Sequence, residues 1–178
     1  MEKVATDIYT FSQLRNEGFT YVDKTDSLFA MASGEIGKQF FIARPRRFGK
    51  SLAISTLESL FQGERELFKG LAIEPKWDWS RKWPVLHLDM GSAQTTSVPE
   101  LHRRIRAILA NECHRNGIPF RDDENPSTAF ENIINDLAAK SPDGWMVLLV
   151  DEYDKPILGH LMKPESRNSA TRSRRSTP

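Results

Sequence analysis

The sequence predicts an α/β sandwich built on a mainly parallel sheet. Two observations carry this. Short apolar runs with strand character alternate with segments of helical periodicity. The most apolar run, Trp145 to Val150, is continuous rather than alternating, as expected of a central parallel strand covered on both faces. With 178 residues and 39% hydrophobic content, the chain can bury the core of one ordinary domain.

The elements follow in order. Phe19-Thr20-Tyr21-Val22 reads as a short strand, and Asp23 or Thr25 caps a helix running to about Ala32. Gly34 and Gly37 mark a turn. The run Gln39 to Ala43 suits a buried strand, broken by Arg44-Pro45-Arg46-Arg47-Phe48-Gly49. Leu52, Ile54, Leu57, Leu60 and Phe61 then recur at near-helical spacing until Gly63. Residues 64–83 are loop-rich and hold Trp77, Trp79 and Trp83, a cluster expected to pack rather than to stack on a base. Pro84 to Asp89 is a second strand. Ser97 and Glu100 have the form of a capping box, opening a helix with Leu101, Ile105, Ile108 and Leu109 on one face and an end near Gly117. Asn125 caps a further helix with Pro126 in its first turn and a stripe of Phe130, Ile133, Ile134 and Leu137. Pro142-Asp143-Gly144 turns the chain into the last strand, which stops at Asp151-Glu152.

Composition narrows the function classes. A net charge of +1 gives no global attraction to nucleic acid or to anionic membrane. The single cysteine, Cys113, excludes an intrachain disulfide and agrees with a reducing compartment. The N-terminus lacks the basic and apolar regions of a signal peptide, and no apolar run approaches the roughly 18 residues of a membrane helix. A soluble, cytoplasmic protein is the expectation. The four histidines lack metal-ligand spacing, so no zinc site is expected. From Lys163 onward there is no Val, Ile, Leu, Phe, Trp or Tyr. Such a segment cannot bury enough apolar surface to fold, so residues 1–161 are read as the domain and 162–178 as a disordered basic Ser/Arg tail.

Two motifs carry chemistry. The first is Ala43 to Ser51, ARPRRFGKS, set between the strand and the helix. Gly49, Lys50 and Ser51 match the end of the phosphate-loop pattern G-x-x-x-x-G-K-[ST], while Arg44 stands where the first glycine would be. A loop entering a helix aims backbone N–H groups at an anion, and the helix terminus adds positive potential. Residues Arg44 to Leu52 (Arg44, Pro45, Arg46, Arg47, Phe48, Gly49, Lys50, Ser51 and Leu52) are the candidate cradle. Lys50 supplies the point charge, and Ser51 offers a hydroxyl to magnesium. The alternative is a basic surface turn, and the flanking strand and helix favour the cradle. The second motif is Asp151-Glu152 at the tip of the last strand, where ligands bind in parallel sheets. Asp151 suits magnesium and Glu152 suits polarisation of an attacking water. An acidic cap on the next segment is the plain alternative. Asp89, ending the other strand, either borders the same crevice or, as is commoner for such a residue, caps the loop that follows. Tyr21-Val22-Asp23-Lys24-Thr25 looks like a motif for which no chemistry calls.

The stretches YVDKT, RPRRFGKSL, STLESLFQG, LFKGLAI, PVLHLD and LLVDEYDKPI resemble the bacterial AAA-ATPase-like family over about residues 5–160. The resemblance implies a P-loop NTPase three-layer sandwich that binds ATP and Mg2+. Lys50 and Ser51 would then be Walker A residues, and Asp151 and Glu152 Walker B residues. The family accepts Arg at the position of Arg44. Its members commonly continue past DEYDKP, complete the sheet and carry a nuclease-like domain of the PD-(D/E)xK type, so the chain is expected to be incomplete at its C-terminal end. Related P-loop ATPases place a later strand between the two Walker strands, so residues 39–43 and 145–150 are not expected to pair directly.

An ATP-binding, hydrolytic domain is the leading reading. A non-hydrolytic nucleotide-dependent switch or interaction module, through self-association or a partner protein, is the alternative. Nuclease activity is rejected for this chain, because Tyr153 stands where an acid is needed before Lys155. Nucleic acid would be reached only through a family domain that this chain lacks.

Overall fold

The computed structural model describes residues 10–43, 48–93, 97–121 and 125–155. Five helices and two strands form in the order α1 (Phe11–Asn16), α2 (Thr25–Ala32), α3 (Lys50–Phe61), β1 (Val85–Asp89), α4 (Val98–Asn116), α5 (Pro126–Ala138) and β2 (Val147–Asp151). Single 3-10 turns lie at Arg65–Phe68 and Met90–Ala93. The strands β1 and β2 pair in parallel, with Val85 opposite Val147 and Asp89 opposite Asp151. The molecule is therefore α/β with a small, open parallel sheet.

The pleat sends alternate residues of β1 into two separate cores. Val85 and Leu149 join Phe11, Leu57, Leu60, Phe68 and Ile73 beneath α1 and α3. Leu86 joins Leu109, Cys113, Ile133 and Leu137 beneath α4 and α5. Helices thus cover the sheet from both sides. Each fully buried Leu, Ile or Phe contributes about 1.5–3 kcal/mol, so these two clusters hold the layers together. The second layer stops short of β2. Leu148 and Val150, on the same face as Leu86 and Leu88, remain 43% and 39% exposed. The expectation of a central strand covered on both faces is not met among the described residues.

Local signals account for the helix boundaries. The Asn125 side chain accepts a hydrogen bond from Thr128 N at 2.9 Å, the cap expected ahead of Pro126. Gly117 closes α4 in the left-handed conformation at φ 60°. The capping box does not form: Ser97 makes no side-chain cap bond to α4, and the Glu100 carboxylate turns instead along the helix to Arg104 at 3.1 Å. A guanidinium one turn on competes successfully for that carboxylate.

Two expected strands are absent. Residues 19–22 and 39–43 are without helix or strand, and Phe40 and Phe41 are 41% and 69% exposed. An apolar run becomes a strand only where another strand satisfies its backbone. Residues 38–41 instead flank β2 through side chains alone. Lys38 Nζ sits 3.7 Å from the centre of the Trp145 ring, and Phe41 meets Tyr153 edge-on at 5.4 Å. No ladder joins 39–43 to β2 among the described residues.

The YVDKT segment has a structural role. One Asp23 oxygen accepts from Thr25 N at 2.8 Å and from Thr25 Oγ1 at 2.7 Å, while the other accepts from Ala72 N at 2.8 Å. Thr25 Oγ1 accepts in turn from Ile73 N at 3.1 Å. Burial pushes the Asp23 carboxyl up, but these hydrogen bonds outweigh it and hold it below the usual carboxylate range. Tyr21 packs edge-on against Phe11 at 5.1 Å. The tryptophans also pack as expected: Trp77 and Trp83 both meet Phe61, and Trp79 meets Phe68.

Candidate functional site

The direction of α3 decides where Lys50 and Ser51 lie. At its C-terminal end, Phe61 O accepts a hydrogen bond from Trp83 N at 2.9 Å, just ahead of β1. One turn earlier, Glu58 meets His87 in the middle of β1. The helix therefore runs antiparallel to β1, and it packs on both strands. From Glu58 to Lys50 the helix climbs about 12 Å, while from His87 to Asp89 the strand advances about 7 Å. The first turn of α3 thus lies toward the carboxyl tips of the strands.

That first turn opens on a glycine, with no side-chain cap. Gly49 is the N-cap residue, in the left-handed conformation at φ 73°, with open space around the position of a Cβ. A side-chain-bearing residue would be strained there. The helix ladder begins with Ala53, whose N–H donates to Gly49 O. The amides of Lys50, Ser51 and Leu52 have no intrahelical acceptor, as at every helix start. Leu52 anchors the turn by packing against the first core cluster, while Phe48 is exposed. Arg44, Pro45, Arg46 and Arg47, the remainder of the expected cradle, lie outside the described residues, as does the 162–178 tail.

At the strand tips, Asp151 is buried at 7% exposure, and its Oδ1 accepts from Glu152 N at 2.9 Å. Glu152 has φ 53°, the one positive φ of a non-glycine residue among the described residues. A carbon side chain in this conformation costs about 1–2 kcal/mol. The Glu152 carboxylate pairs with Lys155 at 3.4 Å. Asp89 stands opposite Asp151 in register, and its Oδ1 accepts from Gly91 N at 2.8 Å. That bond caps the loop after β1, the simpler of the two roles open to Asp89.

The described residues contain no group of three His, Cys, Asp or Glu side chains able to hold a metal ion by themselves. Magnesium at a phosphate site does not require one. It takes one or two hard oxygen ligands from the protein and completes its shell with phosphate and water. A serine hydroxyl at the start of α3 and one aspartate at the tip of β2 have the right donor chemistry for that. Among the described residues, no helix is long and apolar enough to cross a membrane.

Comparison with known proteins identifies the family. The family model described as Predicted AAA-ATPase matches residues 5–176, running past the point where the resemblance read from the motifs ends. An "Uncharacterized protein in vnfD 5'region" of Azotobacter chroococcum mcd 1 is 40% identical over 165 residues, covering 92% of this chain and 31% of that protein. The chain thus spans about a third of the length of this curated relative. No solved structure matches. Nearly the whole chain falls within the family match, with Gly49-Lys50-Ser51 and Asp151-Glu152 inside it, and the protein belongs to the predicted AAA-ATPase family.

Proposed function

We propose that the protein binds ATP with magnesium at the carboxyl end of the sheet, between the first turn of α3 and the tip of β2. The observation that carries this is the antiparallel run of α3 against β1, which brings Lys50 and Ser51 to the same end of the sheet as Asp151 and Glu152. Phosphoryl transfer needs both parts. The amides of residues 50–52 and the Lys50 ammonium would receive the outer phosphates. Arg44, Arg46 and Arg47, next to this turn in sequence, would add positive charge for the phosphates. Ser51 Oγ and the Asp151 carboxylate would hold magnesium, which neutralises charge on the phosphates when bound. Glu152 would orient and polarise water as the general base. Its positive φ fits this role, because strained backbone concentrates where a side chain must be aimed.

A second reading, binding without turnover, is favoured by the open sheet. Residues 39–43, which precede the loop, pair with no strand among the described residues.

Three variants test the assignment. Lys50→Ala removes a charge-assisted contact from the first turn of α3, outside both core clusters, and should weaken ATP binding by about 1.5–3 kcal/mol with little loss of stability. Asp151→Asn should weaken binding only when magnesium is present. Glu152→Gln should bind normally and abolish hydrolysis. Isothermal titration, with and without magnesium, and single-turnover hydrolysis read these out. Unchanged affinity in folded Lys50→Ala would overturn the phosphate-loop assignment. Equal losses in the two acidic variants would make that pair a structural cap.

A further inference from the structure

A cluster of four charged or titratable side chains lies midway along β1, outside the proposed site. His87 Nδ1–H donates to Glu58 Oε2 of α3 at 2.8 Å. Arg115 of α4 reaches the other Glu58 oxygen at 2.5 Å and Glu112 at 2.8 Å. Glu112 Oε2 also accepts from the backbone N–H of His87 at 2.9 Å. The side chains of His87, Glu58 and Glu112 are only 19%, 14% and 11% exposed. The cluster thus ties together α3, β1 and α4, three elements that local hydrogen bonding cannot connect.

Its charge balance depends on one proton. Two mostly buried carboxylates and one guanidinium, itself 42% exposed, leave a net charge of −1, and an imidazolium brings the sum to zero. Uncompensated charge on mostly buried groups is costly. The groups that face His87 are Glu58 from α3 and Glu112 and Arg115 from α4. Leu149, its in-register neighbour on β2, carries no charge. The hydrogen bond to Glu58 raises the His87 value above the histidine norm of 6.5, against burial and Arg115, which lower it. Burial pushes Glu58 up, but His87 and Arg115 outweigh it and hold it low. His87 Nε2 is buried without a hydrogen-bond partner among the described residues. A proton there goes unanswered, which keeps the charged form from being locked in.

We propose that this cluster is a proton-operated clamp on α3, with His87 as a positioning residue that holds the Lys50–Ser51 turn over the strand tips and makes nucleotide affinity fall as pH rises. The second half rests on the nucleotide reading above, and the first half does not. The sign follows from linkage. A histidine whose value is raised in the folded state contributes stability that is fully present below its unfolded value and is lost as pH rises through the folded one. Glu58, held low, contributes in the opposite sense at acid pH. The clamp is therefore tightest on the mildly acidic side of neutrality and loosens above the His87 midpoint.

The test uses the full chain. The His87 ring resonances, followed by NMR against pH, should give a midpoint above 6.5, and Glu58→Gln should lower it. ATP affinity at saturating magnesium should weaken about fivefold across the wild-type midpoint, at the low end of typical coupling between sites. His87→Gln, which keeps a donor toward Glu58 without a titrating proton, should show no such step. A wild-type midpoint at or below 6.5 overturns the clamp, and this measurement needs no variant to fold. The same step in wild type and His87→Gln overturns the coupling while the nucleotide reading stands. No ATP binding at any pH, with His87 titrating as expected, overturns the nucleotide reading and supports the clamp.

Discussion

At the scale of single residues, the clearest sign of a built site is Glu152. The chain reverses immediately after β2, and a glutamate occupies a backbone conformation that glycine would fill at lower cost. Two variants separate the backbone cost from the loss of the carboxylate. Glu152→Ala and Glu152→Gly both delete the ion pair to Lys155, a half-buried surface pair worth about 1 kcal/mol or less. Only Glu152→Gly relieves the left-handed strain. Glu152→Gly should therefore exceed Glu152→Ala in stability by about 1 kcal/mol, measured by chemical denaturation, with hydrolysis lost in both. If the two unfold alike, the positive φ stores no strain. The sequence marks Glu152 as a strand-end acid but carries no sign of its φ, because only the surrounding packing sets that angle. His87 was equally unreadable. Its partners Glu58 and Arg115 lie 29 residues before it and 28 after it, and no spacing rule joins three residues so far apart.

At the scale of elements, what was legible is what a short window of sequence encodes. The Asn125-Pro126 start, the Gly117 stop and the helical spacing from Leu52 to Phe61 each rest on contacts within a few residues, and each is present. What failed needed a distant partner. Residues 39–43 are apolar enough for a strand and lack one to pair with. Glu100 had a local choice between Ser97 and Arg104, which the box pattern alone does not resolve. The Asp23–Thr25 pair shows the reverse case, a motif whose meaning lies at residues 72–73. Asp23→Ala should remove the acceptor for three donors and detach the turn after Phe68 from the start of α2. The expected loss is about 1–2 kcal/mol, a fall in Tm of about 2–8 °C for a chain of this size. A variant melting with wild type would show that the turn is held by Phe68 and Ile73 packing alone.

At the scale of the whole molecule, each strand has one strand neighbour among the described residues, and the outer edge of β1 is met by side chains of α4, Asn116 at Val85 O and Glu112 at His87 N. β1 is covered on both faces and paired to β2, yet among the described residues β2 has no second neighbour. Trp145, Leu148, Val150 and Tyr153 on or beside it are each 39–52% exposed, and Phe40 and Phe41 add to this flank from the segment alongside. An apolar strand with a free edge is a template for pairing with another chain. The chain should therefore self-associate as concentration rises, and its thermal transition should be broad or low. Leu148→Lys and Val150→Lys test the cause. Both positions are already substantially wet, so charge there should suppress association at a stability cost of about 1 kcal/mol or less. The same change at Leu149, buried at 9% exposure beneath α3, should prevent folding. Mg-ATP should raise the melting temperature if it bridges α3 and β2, because a ligand that binds only the folded chain stabilises by mass action. Sedimentation and melting, run with and without Mg-ATP, decide the matter. A cooperative, high-temperature transition in a strict monomer, with steady multi-turnover ATPase activity, would show that two paired strands are platform enough for the site and that the bare flank of β2 is no liability.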